Sequence, residues 1–555
     1  MKNMKKLIFI TGIILLASSL FSQEALKSTE EEYYDFLALS GTIERPTLGY
    51  RTLSDSVWNI DDSQEHIWQN NNLGSTFTFW EPENPSDNAF TRGIKQGLFA
   101  KVYGPEWYNS YNSAAPHGQN DGALWQGRGY NTALTGGIRL EGYGFELTFK
   151  PQISFSQNLA FDYLPGVYGD THSYNWWGCI DLVQRYGDKP FFNYDWGDSE
   201  IRWTWHSLTI GFGNQSPWLG TSYINPMLGS NNAASYTKFD IGLRKTPVYL
   251  PFSKTYIGDI EGRIWVGQLK ESKYFDYNDA NDLRMLNAIA GYYSPSFIPG
   301  FTLGLNRIFL TNWAPHNFKY LIRLVTLSRS NGSQVGTGED EDQKFSITGD
   351  WYFPKVGFRV YTEFGRDDFS YSELCYPLHT AIYTLGFEKE IPLKNEWKSE
   401  LIVEYNNFEM SQDFQLQWGY MGYYAHSAIL QGYTSKGQII GAGTGYFGNS
   451  QFIQYKVYYP NGSFAFKFHR HSPNNNSVFS QAVYDTADPN LSSLNKDWYQ
   501  NFETNYDFGI DFLYILKNCL MINQEFVFTY TIKPMYKQDD YRLNCFYALT
   551  LKWEI

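Results

Sequence analysis

The residues with the most evident capacity for chemistry lie in the stretch FHRHSPNNN, residues 468–476. His469 and His471 stand two positions apart, and Ser472 follows at once. A histidine beside a serine could hydrolyse an ester of a membrane lipid. Two histidines on one face of a strand could instead share a metal ion. The stretch therefore offers two chemistries, ester hydrolysis and metal binding.

The sequence argues against both hydrolysis and metal binding at this stretch. His469 alternates with Phe464, Phe466 and Phe468, so it lies on the opposite face of an extended chain. If the phenylalanines face lipid, the histidine faces the interior, where a lipid-cleaving site would not be placed. No third ligand that could complete a metal site is evident in the sequence. We therefore predict no catalytic residues, no metal ligands and no cofactor.

Aromatic side chains in the longer polar segments suggest a different chemistry. Flat rings stack on sugars, and planar cations bind acidic polymers. The candidates for binding a polysaccharide are Trp176 and Trp177 in SYNWWGC, Trp218 in SPWLG, Trp418, Tyr420, Tyr423 and Tyr424 in QWGYMGYYAH, and Arg366, which is predicted to lie just past a strand end. The alternative is that the aromatic residues belong to interfacial girdles and that Arg366 lies in a solvated loop.

Charge and motifs exclude other classes. The formal net charge is −13, and it becomes −16 without Lys2, Lys5 and Lys6 of the leader described below, so nucleic acid is not expected as a partner. The acidic run 339–342 and the stretch DYNDANDLR, 276–284, do not fit a calcium loop and are predicted to be solvated. The alternative is an outer loop that binds calcium and bridges to lipopolysaccharide. No phosphate-binding glycine loop or nucleophile elbow is present in the sequence.

The elements that must position these residues are strands with two unlike faces. From Leu543 to Ile555 every second residue is apolar, and the residues between them are mostly polar. The same alternation recurs upstream in segments of about ten residues, for example from Phe502 to Leu516. A soluble β-sandwich would also alternate, but the export signal and the strand length favour a transmembrane barrel. The aromatic share of 19% fits the same interpretation.

Connections of two kinds orient the predicted barrel. Tight ones fall at 294–300, 354–357, 392–397, 459–462 and 517–519, and long ones lie between them. Outer-membrane barrels keep short turns in the periplasm and long loops outside, so Ile555 is predicted at the periplasmic rim. The last strand would pair with the first strand of the barrel, because closure removes sheet edges.

The chain divides into three predicted parts. Residues 1–22 have the layout of a signal peptide, with three lysines before an apolar run from Leu7 to Ala17. Residues 23–60 form a periplasmic N-terminal element whose helix begins at Ser28 or Thr29 and ends near Leu39. Residues 61–555 form the barrel. The four cysteines lack metal-binding spacing and are predicted to serve as small apolar residues that are buried or face the membrane. The alternative is that a pair such as Cys179 and Cys375 forms a disulfide in an oxidising compartment.

Several stretches in order along the chain carry a family resemblance. They are YYDFLALSGTIERPTLGYRTLSD (33–55), YNSAAPHGQNDGALWQGRGYNTALTGGI (111–138), IGFGNQSPWLGTSYINPMLGSNNA (210–233), YYSPSFIPGFTLGLNR (292–307), GEDEDQKFSITGDWYFPKVGFRVYTEFGRDD (338–368) and GYTSKGQIIGAGTGYFGNS (432–450). Together they resemble the Wzi family of capsule-assembly outer-membrane proteins.

That resemblance implies an all-β transmembrane fold: an antiparallel outer-membrane β-barrel of about 18 strands with a small periplasmic helical element. It implies a lectin-like, non-enzymatic protein that assists assembly and surface attachment of capsular or extracellular polysaccharide. The expected partners are that polysaccharide, outer-membrane lipid and lipopolysaccharide, and the outer-membrane insertion machinery. We expect a monomer.

The barrel alone would equally support a porin for small solutes or sugars. The two functions differ in the lumen, because a porin needs a clear channel. Glycine-rich stretches such as GQIIGAGTGYFGN, 437–449, could fold inward and plug it.

Overall fold

The computed structural model describes ten stretches of the chain: residues 28–52, 65–71, 76–164, 171–326, 341–367, 381–394, 396–409, 422–473, 502–516 and 520–553. The predicted signal peptide, Trp418, Tyr420, Cys375 and Cys519 lie outside these residues. Cys179 and Cys545 lie within them and are both free thiols there.

Strands dominate the described chain. They are β1 Tyr50–Thr52, β2 Phe77–Trp80, β3 Leu98–Asn112, β4 Gly129–Gly142, β5 Phe145–Phe149, β6 Gln152–Ser156, β7 Asn175–Trp177, β8 Ile180–Val183, β9 Phe191–Asp195, β10 Glu200–Trp205, β11 Leu208–Gly213, β12 Pro217–Leu219, β13 Thr237–Tyr249, β14 Tyr256–Lys270, β15 Leu283–Pro295, β16 Phe301–Asn312, β17 Glu341–Phe353, β18 Phe358–Asp367, β19 Ala381–Pro392, β20 Lys398–Asn407, β21 Thr434–Ser435, β22 Gln438–Ile439, β23 Asn449–Tyr459, β24 Gly462–Ser472, β25 Thr504–Leu516, β26 Leu520–Ile532 and β27 Tyr541–Trp553.

Helices are few and short. The α-helices are α1 Thr29–Leu39 and α2 Tyr320–Arg323, and the 3₁₀ helices are Gln69–Asn71, Pro315–Lys319, Pro354–Val356 and Pro534–Tyr536. In the part of the chain that the structure describes, no helix is both long enough and apolar enough to cross a bilayer.

The long strands close into one antiparallel barrel of 18 strand positions. Each barrel strand pairs with the next barrel strand along the chain. The last strand, β27, pairs with β3 and closes the barrel, with Lys552 opposite Glu106 and Phe546 opposite Asn112. Two positions are each built from two segments, β5 with β6 and β9 with β10. The prediction of about 18 strands is confirmed, as is closure through the terminal strand.

The two faces of the wall follow the predicted alternation. On β27, Leu543, Cys545 and Tyr547 are exposed on the outer face, whereas Phe546 and Ala548 are buried on the lumen side. The outer face of the neighbouring strands is apolar as well, because strands of a membrane barrel must meet lipid on that face. Alternation along each strand therefore decides which residues can take part in a lumenal site.

Short turns gather at one end of the barrel and long connections at the other. The turns between β15 and β16, β17 and β18, and β23 and β24 span only a few residues. Helix α1 lies at this short-turn end, where Tyr33 and Phe36 pack against Tyr458 of β23 and Leu513 of β25. The predicted helix is present: the Ser28 hydroxyl caps it by accepting the Glu31 N–H at 3.1 Å.

The lumen is occupied by segments that fold inward from the long-loop end. They meet the wall in one apolar core, which contains Leu286, Ala288, Ile308, Leu310 and Ile382 of the wall together with Trp176, Ile180, Met227, Tyr424, Tyr433, Ile439 and Phe447 of the inward segments. The prediction that the glycine-rich stretch near residue 440 could fold into the lumen agrees with this arrangement.

Carboxylates on the wall hold segments inside the barrel in place. The Oε2 atom of Glu261 on β14 accepts hydrogen bonds from three consecutive backbone N–H groups, those of Leu48, Gly49 and Tyr50, at 2.6, 3.0 and 3.3 Å. Such bonds to a buried carboxylate are stronger than neutral ones. This contact fixes the segment that contains β1 against the wall.

A second carboxylate acts in the same way on another segment. Glu404 on β20 accepts the N–H of Tyr223 at 2.5 Å and that of Asn225 at 3.1 Å. Because buried backbone amides need partners, these bonds supply what the inward segment would otherwise lack.

Candidate functional site

The predicted tryptophan platforms lie inside the barrel. Trp176 and Trp177 are on β7 and are only 4% and 5% exposed, and the Trp177 ring stacks on Tyr446 at 5.9 Å between centroids. Trp218 is 1% exposed, and its indole N–H donates to the Ser222 carbonyl at 3.0 Å. In this arrangement no ring face of the three is open to a polymer at the surface.

The two described tyrosines of the QWGYMGYYAH stretch are also fully buried. The Tyr423 hydroxyl donates to the Phe345 carbonyl at 2.9 Å, and the Tyr424 hydroxyl donates to the Met227 carbonyl at 2.8 Å. Tyr423 thus joins an inward segment to a wall strand, whereas Tyr424 joins two inward segments to each other. Trp418 and Tyr420 lie outside the described residues, and the whole candidate set stays a prediction.

Arg366 lies in a different setting from the one predicted. It is buried within β18, opposite Phe345 of β17, and not past the end of the strand. The same holds for the acidic run, since Glu341 and Asp342 begin β17 and Lys344 donates to Asp342 at 2.7 Å. The prediction of solvated loops was wrong at these residues because both strands extend further toward the long-loop end than their apolar alternation indicates.

A half-exposed aromatic surface lies at the long-loop end. We call it the loop-end aromatic surface, and it comprises Phe161, Tyr163, His172, Tyr174, Tyr186, Tyr274 and Tyr277. The His172 and Tyr174 rings stack at 4.9 Å, and Tyr186 and Tyr274 meet edge to face at 5.0 Å. Tyr277 is 73% exposed.

Backbone pairing holds this surface together. The His172 N–H donates to the Phe275 carbonyl at 2.8 Å, and Thr171 forms an isolated bridge with Asp276. The two segments are about a hundred residues apart in sequence, so sequence reasoning missed their contact. The only available signal was that both segments are polar and rich in tyrosine.

Polar groups are interleaved with the rings of the loop-end aromatic surface. The Lys273 Nζ lies 4.8 Å from the Tyr186 ring centroid and 4.9 Å from that of Tyr274. The Tyr174 hydroxyl donates to Asp188, and this bond raises the pKa of Tyr174 to about 12. Rings, a cation and hydroxyls at one surface are the groups that bind sugars and acidic sugars.

A cavity of about 390 Å³ lies within the lumen beside strands β24 to β27. Its lining is rich in charge, with Lys456 and Lys467 among several carboxylates. The enclosed position raises the pKa of Asp121 to about 8, and the nearby Glu525 carboxylate adds to the shift. The cavity can therefore hold a polar or charged ligand better than an apolar one.

The two histidines of the FHRHSPNNN stretch face this cavity, as predicted for His469. The predicted neighbour Ser472 bonds to Thr504 at 2.7 Å and not to a histidine. A third potential ligand, Asp507, lies opposite His469 in the sheet. Sequence reasoning found no such ligand, because the partner comes from the next strand, 38 positions on.

Comparison with known proteins gives the following similarities. The model of the family described as capsule assembly protein Wzi matches residues 187–510, more than half of the chain. No curated protein sequence matches.

Among solved structures, the chain is similar to Wzi of Escherichia coli, described as an outer-membrane protein involved in group 1 capsule assembly and a carbohydrate-binding β-barrel. The identity is 11%, the match covers 82% of this chain and 85% of that one, and the TM-score is 0.53. Acinetobacter baumannii OccAB4 follows at 10% identity, 82% and 97% coverage and a TM-score of 0.38. The outer-membrane protein OprD of Pseudomonas aeruginosa has 7% identity, 82% and 92% coverage and a TM-score of 0.36. The first of these likenesses confirms the predicted fold.

Proposed function

Because the chain belongs to the capsule assembly protein Wzi family, we propose that it is a lectin-like outer-membrane barrel. It assists assembly and surface attachment of capsular or extracellular polysaccharide. It acts by binding and not by catalysis. Residues 1–22 direct export, residues 23–60 form the periplasmic element, and residues 61–555 form the barrel. The protein works as a monomer among outer-membrane lipid and lipopolysaccharide, after the insertion machinery has placed it.

The observation that carries this proposal is the loop-end aromatic surface. Short turns lie in the periplasm in barrels of this kind, so the opposite end faces the cell exterior. Rings there can stack on successive sugars of a polymer, and Lys273 can meet its acidic groups. Because a polymer offers many repeats, weak contacts add up to firm retention by avidity.

The filled lumen weakens the porin alternative. A porin requires a continuous aqueous path, whereas here buried tyrosines and tryptophans of inward segments pack on wall residues such as Ala288 and Leu310. Displacing them would expose apolar area that is now removed from water. We therefore expect negligible single-channel conductance from the purified protein in a planar bilayer.

The experiment compares cell-bound with shed polysaccharide in a strain that lacks this protein, with uptake of a small sugar measured beside it. The proposal predicts normal synthesis and export, more shed polymer and unchanged uptake. Retained polysaccharide with slowed uptake would instead establish the porin alternative.

Variants locate the binding surface. The double variant Tyr174→Ala with Tyr274→Ala should bind purified polysaccharide about tenfold more weakly, since each ring contributes on the order of 0.5–1.5 kcal/mol. Phe252→Ala is the matched control, because Phe252 is fully exposed on the tight turn between β13 and β14. Trp418→Ala with Tyr420→Ala tests the sequence-predicted platforms. If binding depended on these two and not on Tyr174 and Tyr274, the loop-end aromatic surface would be the wrong site.

A further inference from the structure

Three potential metal ligands meet on two neighbouring wall strands. His469 and His471 lie on the lumen face of β24, and Asp507 lies opposite His469 on β25. One ligand atom from each residue lies within 4.8 Å of the other two. The lumen faces of two adjacent strands thus bring Asp507 close to the two histidines, although it lies more than 30 positions further along the sequence.

The distances suit one shared ion. The Asp507 Oδ2 lies 3.8 Å from the His469 Nδ1 and 3.9 Å from the His471 Nδ1. Two ligands of a tetrahedral zinc ion are about 3.4 Å apart, given metal–ligand bonds of about 2.1 Å. The His471 ring borders the cavity, so a small rotation of that side chain can close the remaining gap.

Two of the three inward-facing ligand atoms have no other use among the described residues. The His471 Nδ1 and the Asp507 Oδ2 are buried and form no hydrogen bond with any described residue. A buried polar atom without a partner is energetically costly, so such atoms usually indicate a bound water or ion. Here both point toward the same position.

Neighbouring hydroxyls hold two of the ligands in orientation. The Ser450 hydroxyl and the His469 Nε2 are 2.8 Å apart, which leaves the Nδ1 of that ring available. The Thr529 hydroxyl donates to the Asp507 Oδ1 at 2.6 Å, which leaves the Oδ2 available. Metal ligands in proteins are commonly fixed by such outer contacts.

We propose that His469, His471 and Asp507 bind a divalent transition-metal ion of the zinc type. Two imidazoles and one carboxylate form a mixed nitrogen and oxygen donor set, which suits zinc and disfavours calcium or magnesium. Three protein ligands leave a fourth position, which opens onto the 390 Å³ cavity for water or a ligand oxygen. The ion links β24 to β25 from the lumen side.

A hydrolytic triad of Ser450, His469 and Asp507 is the competing interpretation. It fails on two counts. The Ser450 hydroxyl is fully buried and does not line the cavity, so no substrate carbonyl can reach it. The His469 Nδ1 and the Asp507 Oδ2 at 3.8 Å are too far apart for a hydrogen bond.

The test uses the full, untagged chain folded in detergent micelles and stripped with a chelator. Zn²⁺ is titrated against a chromophoric chelator, and Co²⁺ is added as a spectroscopic probe of geometry. We expect one Zn²⁺ per chain and tetrahedral Co²⁺ absorption bands that Zn²⁺ abolishes. His471→Ala and Asp507→Asn should each weaken binding more than about 100-fold, and Thr529→Val about tenfold, as outer contacts usually do.

His206→Ala is the matched control, because His206 is exposed on the tight turn between β10 and β11. This variant should bind Zn²⁺ with the same affinity as the wild type. Substoichiometric binding by the wild type, or equal affinity of His471→Ala, Asp507→Asn and wild type, would overturn the proposal. If a variant failed to give the heat-modifiable band of a folded barrel, the wild-type stoichiometry and Co²⁺ spectrum would decide alone.

Discussion

The Lys456 Nζ on β23 lies 2.6 Å from the Glu32 Oε2 on α1. This ion pair joins the N-terminal helix to the barrel wall, and the Tyr223 hydroxyl donates to the other oxygen of Glu32 at 2.6 Å. The carboxylate of Glu32 therefore joins three parts of the fold: helix, wall and an inward segment.

Docking of α1 should depend on pH through Glu32. Burial by itself raises the pKa of Glu32, but the charge of Lys456 and hydrogen bonds from Lys456 and Tyr223 outweigh it and lower that pKa to about 2. A lowered pKa stabilises docking above about pH 4.5, and this stabilisation is lost as the pH falls toward 2. The protection factors of the α1 amides, which are exchange rates corrected for the intrinsic rate at each pH, should accordingly fall across that window.

Glu32→Gln should remove this pH dependence and weaken docking on the order of 2 kcal/mol, because it leaves Lys456 without its charge partner. Glu44→Gln is the control, since the Glu44 side chain is 84% exposed and its pairing with Lys245 is screened by solvent. Protection factors of the α1 amides that stayed constant with pH in the wild type would contradict the prediction.

Gly49 is required by close packing. A Cβ at Gly49 would overlap the ring of Tyr292, which is 4% exposed and is fixed by its hydroxyl bond to Asn306 at 2.6 Å. Gly49→Ala should cost about 1–3 kcal/mol, as overpacking usually does. Gly291→Ala is the matched control, because nothing lies within 4 Å of its Cβ position. Denaturant midpoints of the two variants give the comparison, and equal midpoints would refute it.

A charge on β27 should matter only on the lipid side. Tyr547 is 42% exposed on the outer face near the middle of the strand, whereas Thr550 lines the lumenal cavity. Tyr547→Lys should destabilise the barrel folded in vesicles by about 2–4 kcal/mol, and Thr550→Lys should destabilise it much less. Similar losses in both variants would mean that the assignment of faces on β27 is incorrect.

Arg359 should be far more costly to remove than an exposed cation. It donates to Asp350 at 2.8 and 2.9 Å, to Glu388 at 2.5 Å and to the carbonyl of Thr221 at 2.7 Å. Arg359→Met leaves the buried Glu388 carboxylate without this cation and leaves Asp350 with only the longer pairing to Arg45 at 3.7 Å, so it should cost about 3–5 kcal/mol. Lys398→Met breaks a pair whose lysine is 43% exposed and should cost at most about 1 kcal/mol. Equilibrium unfolding in detergent would separate the two values, and near-equal values would argue against the buried network.

Local patterns were enough to predict the barrel. The alternation from Leu543 to Trp553 assigns the faces of β27, and an extended chain presents successive side chains on opposite sides. The same is true of α1, whose cap at Ser28 and acidic first turn are contacts within a few residues. Where the physical cause is local, the sequence by itself determined the outcome.

Contacts between distant segments could not be predicted in this way. Only the tertiary structure places Asp507 opposite His469, joins His172 to Phe275, and buries Trp218 and Tyr424 inside the lumen. A tryptophan in a long connection can stack on a sugar outside or pack in a core inside with the same local sequence. Which occurs depends on where the connection folds. That position depends on wall groups such as Glu404, which accepts hydrogen bonds from the amides of an inward segment.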